Sequence, residues 1–282
     1  MTPVPCLAVV SQFRFQELSA EDLERLASEF RSAQPFPHVV LHDVLLAEPE
    51  LAGGFPPDDW PGWKRYEDAY QAGKMFCNDV EVIPEPFSSM IEELSSPRFL
   101  SFLEAITGER GLIPDPYLEG GGLHCSVAGG VLAPHTDLHV YRRLELYRRI
   151  NVLLYFNPEW EEQLGGCLEL WPKGGEAPLR TVVPRWGTCV IFLTDDRSVH
   201  GFSAPVLGAA GRRQSIALYY YTSHESEAFS GDTTTYWQRH GELSGIRRAR
   251  FLLYRVLLFV SRAFSFAAHR ANPNVGLRRP PR

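Results

Sequence analysis

Paired cysteines, lysine and an N-terminal leader are what this 282-residue chain has little of. Its five cysteines, Cys6, Cys77, Cys125, Cys167 and Cys189, are odd in number, scattered, and never in a CxxC pair. That argues against a disulfide framework and against a zinc–thiolate site, and reads as buried thiols in a reducing compartment. The stretch Met1–Phe13 has no Lys or Arg before its short apolar run, so no secretory signal is expected and the expected location is cytoplasmic. Arg255 and Arg262 interrupt the longest apolar run, which excludes a membrane-spanning segment there. Internal repeats and low-complexity tracts are absent. Net charge is 28 − 34 = −6, and it is unevenly spread. From Arg239 onward ten Arg face the single acid Glu242, which is +9, so the remainder carries −15. With few lysines and no basic core, the chain is not a nucleic-acid binder.

What is present is the composition of a folded globular protein, 44% hydrophobic and 22% charged, long enough to hold a core without disulfides or a structural metal. A metal here would serve chemistry. SAEDLERLASEFR, from Ser19 to about Arg31, has apolar residues at helical spacing behind a Ser19/Asp22 capping box. PFPHVVLHDVLL predicts a short buried strand, and residues 51–74 are too rich in Gly and Pro to be regular throughout. SSPRFLSFLEAITG predicts a second helix, capped by Ser96, with Pro97 in its first turn and Gly108 at its end. Between Gly120 and Thr222 the texture changes to short β-branched and aromatic runs separated by Gly, Pro and Asp, as in an antiparallel sandwich or barrel. A helical pattern returns in GIRRARFLLYRVLLFVSRAFSFAAHR and stops before Asn272–Pro273. The expected organisation is a helical support region over 1–119, a β core over 120–222 and an Arg-rich helical extension over 223–282, integrated as one domain.

Within the core, His135 and Asp137 flank one residue at the end of a predicted strand, so their side chains share a face. His200 lies on a later strand that a barrel can bring opposite. Two His and one carboxylate with open positions form the ligand set of non-haem Fe(II) oxygenases. Thirteen residues beyond His200, Arg213-Gln214-Ser215 opens the last β run. A fixed guanidinium there suits a bidentate grip on a carboxylate, with the Ser215 hydroxyl completing it.

HTD, SVHGF and RRQSIALYYYT, with LGGCLELWP between them, resemble the Fe(II)- and 2-oxoglutarate-dependent dioxygenases, in the branch related to prolyl 4-hydroxylase. The resemblance implies a mainly β double-stranded β-helix, or jelly roll, with flanking N-terminal helices and a C-terminal helix. It implies Fe(II) on His135, Asp137 and His200, with 2-oxoglutarate anchored by Arg213. It further implies dioxygen as co-substrate, ascorbate as a candidate reductant, and oxidative decarboxylation to succinate and carbon dioxide coupled to substrate hydroxylation. Prolyl 4-hydroxylases carry a Tyr where Leu132 stands and a Lys where Arg213 stands, so the cosubstrate grip differs. His124, Ser126 and Asn151 are candidate cosubstrate contacts by the same resemblance. Retention of Asp137 disfavours halogenation, for which the family replaces this carboxylate.

Other residues have plainer readings. His139 is read as a mouth or supporting residue, and Asp195 and Asp196 as turn formers. The cluster Arg142, Arg143, Arg148 and Arg149 is read as a solvated face, and Tyr155 and Trp171 as core. The C-terminal helix is expected to pack on the barrel or on a second subunit, with contact to an anionic membrane as the sharper alternative. The expected substrate is a small molecule, an amino acid or natural-product intermediate. Peptidyl prolyl or aspartyl hydroxylation is the alternative in the same class. A cupin-type isomerase and a catalytically silent 2-oxoglutarate-binding scaffold are the alternatives outside it.

Overall fold

The computed structural model describes residues 11–47, 49–224, 235, 237 and 245–271. Cys6 and the Asn272–Pro273 helix stop lie outside the described residues. The chain divides into two compact units, Met1–His240 and Gly241–Arg282.

In the first unit α1 (Ala20–Ser32) starts at the expected box: Ser19 Oγ accepts from the Asp22 N–H, and the Asp22 carboxylate accepts from the Ser19 N–H. Its buried face is Leu26, Ala27 and Phe30. After β1 (His38–Leu41) come β2 (Lys64–Tyr66) and β3 (Gln71–Cys77), paired as a hairpin. Residues 51–74 are regular only in part, as expected, and the regular part includes β2 and the start of β3. Local propensity there is poor, and pairing of β3 along β5 (Gly122–His135) supplies the ladder instead. Gly73, at φ +62°, sits in the bulge of that pairing, where a Cβ would stand 2.9 Å from the Gly130 backbone.

Two helices support the sheet. The sequence did not announce α2 (Phe87–Leu94), which buries Phe87, Met90, Ile91 and Leu94. α3 (Pro97–Thr107) is capped by Ser96 and ends on left-handed Gly108, as expected. The remaining strands are β4 (Ile113–Pro114), β6 (Val140–Tyr141), β7 (Leu146–Tyr155), β8 (Leu168–Trp171), β9 (Arg180–Val182), β10 (Cys189–Leu193), β11 (Val199–Phe202) and β12 (Arg213–Thr222). They run in the order β1-β10-β7-β12-β5-β11-β8-β9, all antiparallel, with β3 on the other flank of β5. This nearly closed antiparallel barrel is the expected jelly roll.

Two strands fix the site. β12 is buried along its whole length between β5 and β7. Its alternation separates Ile216, Leu218 and Tyr220, which join the helix-backed core, from Arg213, Ser215, Ala217 and Tyr219, which line the barrel cavity. β5 is the pivot. Its first part pairs with β12 and β3, and its end crosses to β11, setting His135 opposite His200.

The second unit contains α4 (Gly245–Ala271), 27 residues of the predicted C-terminal helix. No described helix is long and apolar enough to cross a membrane. The four described cysteines are free and buried.

Candidate active site

His135, Asp137 and His200 converge: one ligand atom from each lies within 4.8 Å of the others, and all three residues are buried. The imidazoles form a cross-strand pair with ring centroids 4.6 Å apart. His135 Nδ1 is 2.9 Å from the Ala133 carbonyl, and His200 Nδ1 is 2.9 Å from the Ser198 carbonyl. A carbonyl only accepts, so each Nδ1 carries the proton and each Nε2 presents a lone pair. Burial, reinforced by the neighbouring His200, pulls the His135 imidazole down to about 3, which keeps it neutral. Burial opposes ionisation of Asp137, yet His200, Arg148 and His135, with the Asn151 amide, hold its carboxyl well below the usual carboxylate range. Two imidazoles anchored through Nδ1 and one carboxylate, oriented from behind, fit a divalent iron.

Asp137 is held from three sides. Tyr219 donates its hydroxyl to Oδ1 (3.0 Å), Asn151 donates its amide to Oδ2 (2.9 Å), and Arg148 Nη1 stands 3.8 Å from Oδ1. The reading of the arginine cluster as a solvated face is therefore corrected in half of its members. Arg142 and Arg143 are exposed, but Arg148 lies over the Tyr219 ring at 3.5 Å and donates to Tyr221 and to the Glu119 carbonyl. Arg149 is buried in a two-bond pair with Glu109. Both belong to β7, from which they point to opposite faces, Arg148 toward Asp137 and Arg149 toward Glu109, and both are buried.

A cavity of about 60 Å³ opens beside the triad and is lined by Arg213, Ser215, Ser126, His124 and Asn151 with His135 and His200. Arg213 is buried, donates from Nε to the Gly166 carbonyl and from Nη2 to the Tyr155 hydroxyl (3.1 Å), and lies over the Phe202 ring at 4.4 Å. Gly166, at φ +63°, allows that approach: a Cβ on it would lie 3.1 Å from Arg213 Cδ. Arg212 points elsewhere, to the Pro56 carbonyl and Asp58. His124 Nε2 and Asn151 Oδ1 are buried with no hydrogen-bond partner. Burial, helped by Lys74 and Arg213, pulls His124 down to about 3. Leu132 lines the cavity without a polar group. Arg213 in a pocket with unfilled polar atoms fits an acidic ligand.

His139 bonds Asp196 through Nε2 at 3.0 Å and supports the region without joining the triad. Asp195 closes its turn with Ser198 and Arg197, as expected. Trp171 is core, while Tyr155 is both core and cavity wall.

Three residues, Tyr219, Lys74 and Trp237, escaped sequence reasoning, and Tyr155 was read as core alone. Tyr219 and Tyr155 were findable, because strict alternation from Arg213 and Asn151 puts them on the cavity face. Lys74 gave little signal. It comes from β3, enters the cavity opposite Ser126, and forms no hydrogen bond or ion pair with the described residues. Burial, then Arg213, pulls its ammonium down to about 8 against the pull of Asp137 and Asp68. Trp237 gave none: it makes a bridge to His135, with its ring stacked on His135 at 4.8 Å and on Tyr70 at 4.5 Å.

Comparison with known proteins agrees with this geometry. Residues 121–221 match the 2OG-Fe(II) oxygenase superfamily. The chain is 24% identical over 162 residues to the prolyl 3-hydroxylase OGFOD1 of Mus musculus, a match covering 56% of this chain and 27% of that relative's length. The fold resembles that of a prolyl hydroxylase from Trichoplax adhaerens, solved with a hypoxia inducible factor peptide fragment (TM-score 0.51, 18% identity, 71% of this chain and 91% of that one). It also resembles the epimerase SnoN of nogalamycin biosynthesis, solved with Fe3+, alpha ketoglutarate and nogalamycin RO (TM-score 0.50, 16% identity, 81% and 98%). Residues 121–221, the stretch that matches the 2OG-Fe(II) oxygenase superfamily, hold the converging triad together with Arg213 and Ser215.

Proposed function

We propose that this chain is a non-haem Fe(II)- and 2-oxoglutarate-dependent dioxygenase that hydroxylates an unactivated C–H bond of a small molecule, an amino acid or natural-product intermediate, with release of succinate and carbon dioxide. The observation that carries this reading is the meeting, in one buried cavity, of a His–Asp–His triad and a guanidinium with no carboxylate of its own. Bound Fe(II) would supply activation of dioxygen toward cosubstrate and substrate. His135, Asp137 and His200 would hold it. Asn151 and Tyr219 keep the Asp137 carboxylate turned inward. Arg213, set by Tyr155 and Gly166, would take the distal carboxylate of 2-oxoglutarate, with Ser215, Ser126 and His124 beside it. Leu132, Leu153, Leu168 and Phe202 exclude water from the cavity.

The buried cation speaks for an acidic cosubstrate and against a cupin-type isomerase. Peptidyl prolyl hydroxylation is the second reading, favoured by similarity to a relative named as a prolyl 3-hydroxylase. The free, buried thiols suit a reducing, cytoplasmic setting. The test is succinate formation from 2-oxoglutarate with anaerobically reconstituted Fe(II), started by oxygen, in the wild type and in His135→Ala. Iron- and oxygen-dependent succinate that disappears in the variant is expected. Absence of both turnover and 2-oxoglutarate binding would move the assignment to the isomerase class.

A further inference from the structure

Nothing in the proposed reaction uses α4. Its sequence holds six arginines and no acid over 27 residues. Leu252, Leu253, Val256, Leu257, Phe259 and Phe264 are each more than 50% exposed. At 3.6 residues per turn these six positions fall on an arc of about 160°, and the stripe from Leu252 to Phe264 rises about 18 Å. No charged residue falls on that arc between Ile246 and Ala267. Arg250, also exposed, stands at its edge. Water-facing helices in globular proteins carry their large apolar residues on the buried side, and in α4 these six are exposed.

We infer that α4 lies flat on an anionic lipid bilayer, with its Leu, Val and Phe stripe in the headgroup–acyl boundary and its arginines against lipid phosphates. Three observations select this occupant. The helix does not qualify as a span, so an in-plane position is the one open to it in a membrane. Its charge is of one sign, which complements phosphatidylglycerol or phosphatidylserine surfaces. Pairing the stripe with that of a second copy would set two six-arginine helices side by side with no acid in either to compensate. Residues 1–238, at −15, are repelled by the same surface, so attachment is confined to the basic C-terminal part that contains α4.

The test is flotation of the full chain with vesicles of equal parts phosphatidylglycerol and phosphatidylcholine, or of phosphatidylcholine alone, at low salt and at about 0.5 M salt. Flotation with the mixed vesicles is expected, at least about tenfold weaker on pure phosphatidylcholine and in high salt. Leu257→Glu/Phe264→Glu should abolish it, and Arg247→Gln/Arg248→Gln/Arg250→Gln should weaken it about tenfold with the stripe intact. Circular dichroism checks that helix content is kept. If the glutamate variant loses helix, the arginine variant decides alone. The inference is overturned by no flotation on either vesicle, by equal flotation on both, or by a dimer in sedimentation that Leu257→Glu/Phe264→Glu dissociates while no vesicle binds.

Discussion

Lys74 and Arg213 stand at the same level of the barrel, each the cross-strand neighbour of Ser126 from opposite sides of β5. Two cations from unrelated parts of the sequence thus flank one hydroxyl, and Asp137 is the only acid among the residues assigned to the site. A dianionic ligand would offset both. Lys74→Met is expected to weaken 2-oxoglutarate binding by roughly ten- to a hundredfold, the loss of one charge-assisted contact, as read by calorimetry with a redox-inert divalent metal. Unchanged affinity would detach Lys74 from the cosubstrate.

The same lysine sets a pH dependence. Its folded ammonium titrates near 8, below its ordinary value, because burial outweighs its neighbours. Between that pH and the ordinary lysine range the unfolded chain binds the extra proton, so this group's penalty on stability fades as pH rises through that window. At pH 7 the penalty is fully present, and Lys74→Met should stabilise the fold by roughly 1–3 kcal/mol in denaturant unfolding while weakening the ligand. Affinity of the wild type for 2-oxoglutarate should fall as pH passes 8 and stay flat in the variant.

Arg213→Ala should raise the apparent 2-oxoglutarate constant by roughly a hundredfold, since a buried two-bond grip is lost. Arg212→Ala should leave it unchanged, because Arg212 is bound to Pro56 and Asp58 outside the cavity. The reverse result would move the anchor by one residue.

Tyr219→Phe and Asn151→Ala each remove one donor to Asp137. Supports of a ligating group are worth roughly ten- to a hundredfold in metal affinity, so each variant should lose that much Fe(II) or Mn(II) binding with little change in melting temperature. Asp137→Ala should lose iron binding and turnover altogether.

Arg149→Ala strands a carboxylate that is otherwise paired through two hydrogen bonds. A cost of roughly 2–4 kcal/mol in denaturant unfolding is expected, with the 2-oxoglutarate constant of the folded fraction unchanged.

The triad was legible because its geometry is local. His135 and Asp137 are two residues apart at a strand end, and SVHGF marks the opposing strand by its apolar neighbours. Arg213 and Ser215 follow from the same alternation, which also contains Tyr219. Lys74 and Trp237 were not legible: each reaches the site through a pairing whose partner lies far along the chain, and neither sits in a periodic run. Arg148 and Arg149 misled because a run of charge normally faces water, and only the central place of β7 buries it. Pro84 and Pro86 masked α2, whose apolar face is otherwise plain in FSSMIEEL.

Because β5 carries His124 and Ser126 at one end and His135 at the other, its register governs two chemically separate halves of the site at once. A slip of one residue would turn every one of these side chains out of the cavity. Between them the strand bulges, and Ala128 and Gly129 are exposed there. Length variation among descendants of this sequence should therefore collect at that bulge, where an added residue is absorbed before it reaches either half. Innovation in substrate choice would then fall to the partners that meet β5 along its edge, β3 and Trp237.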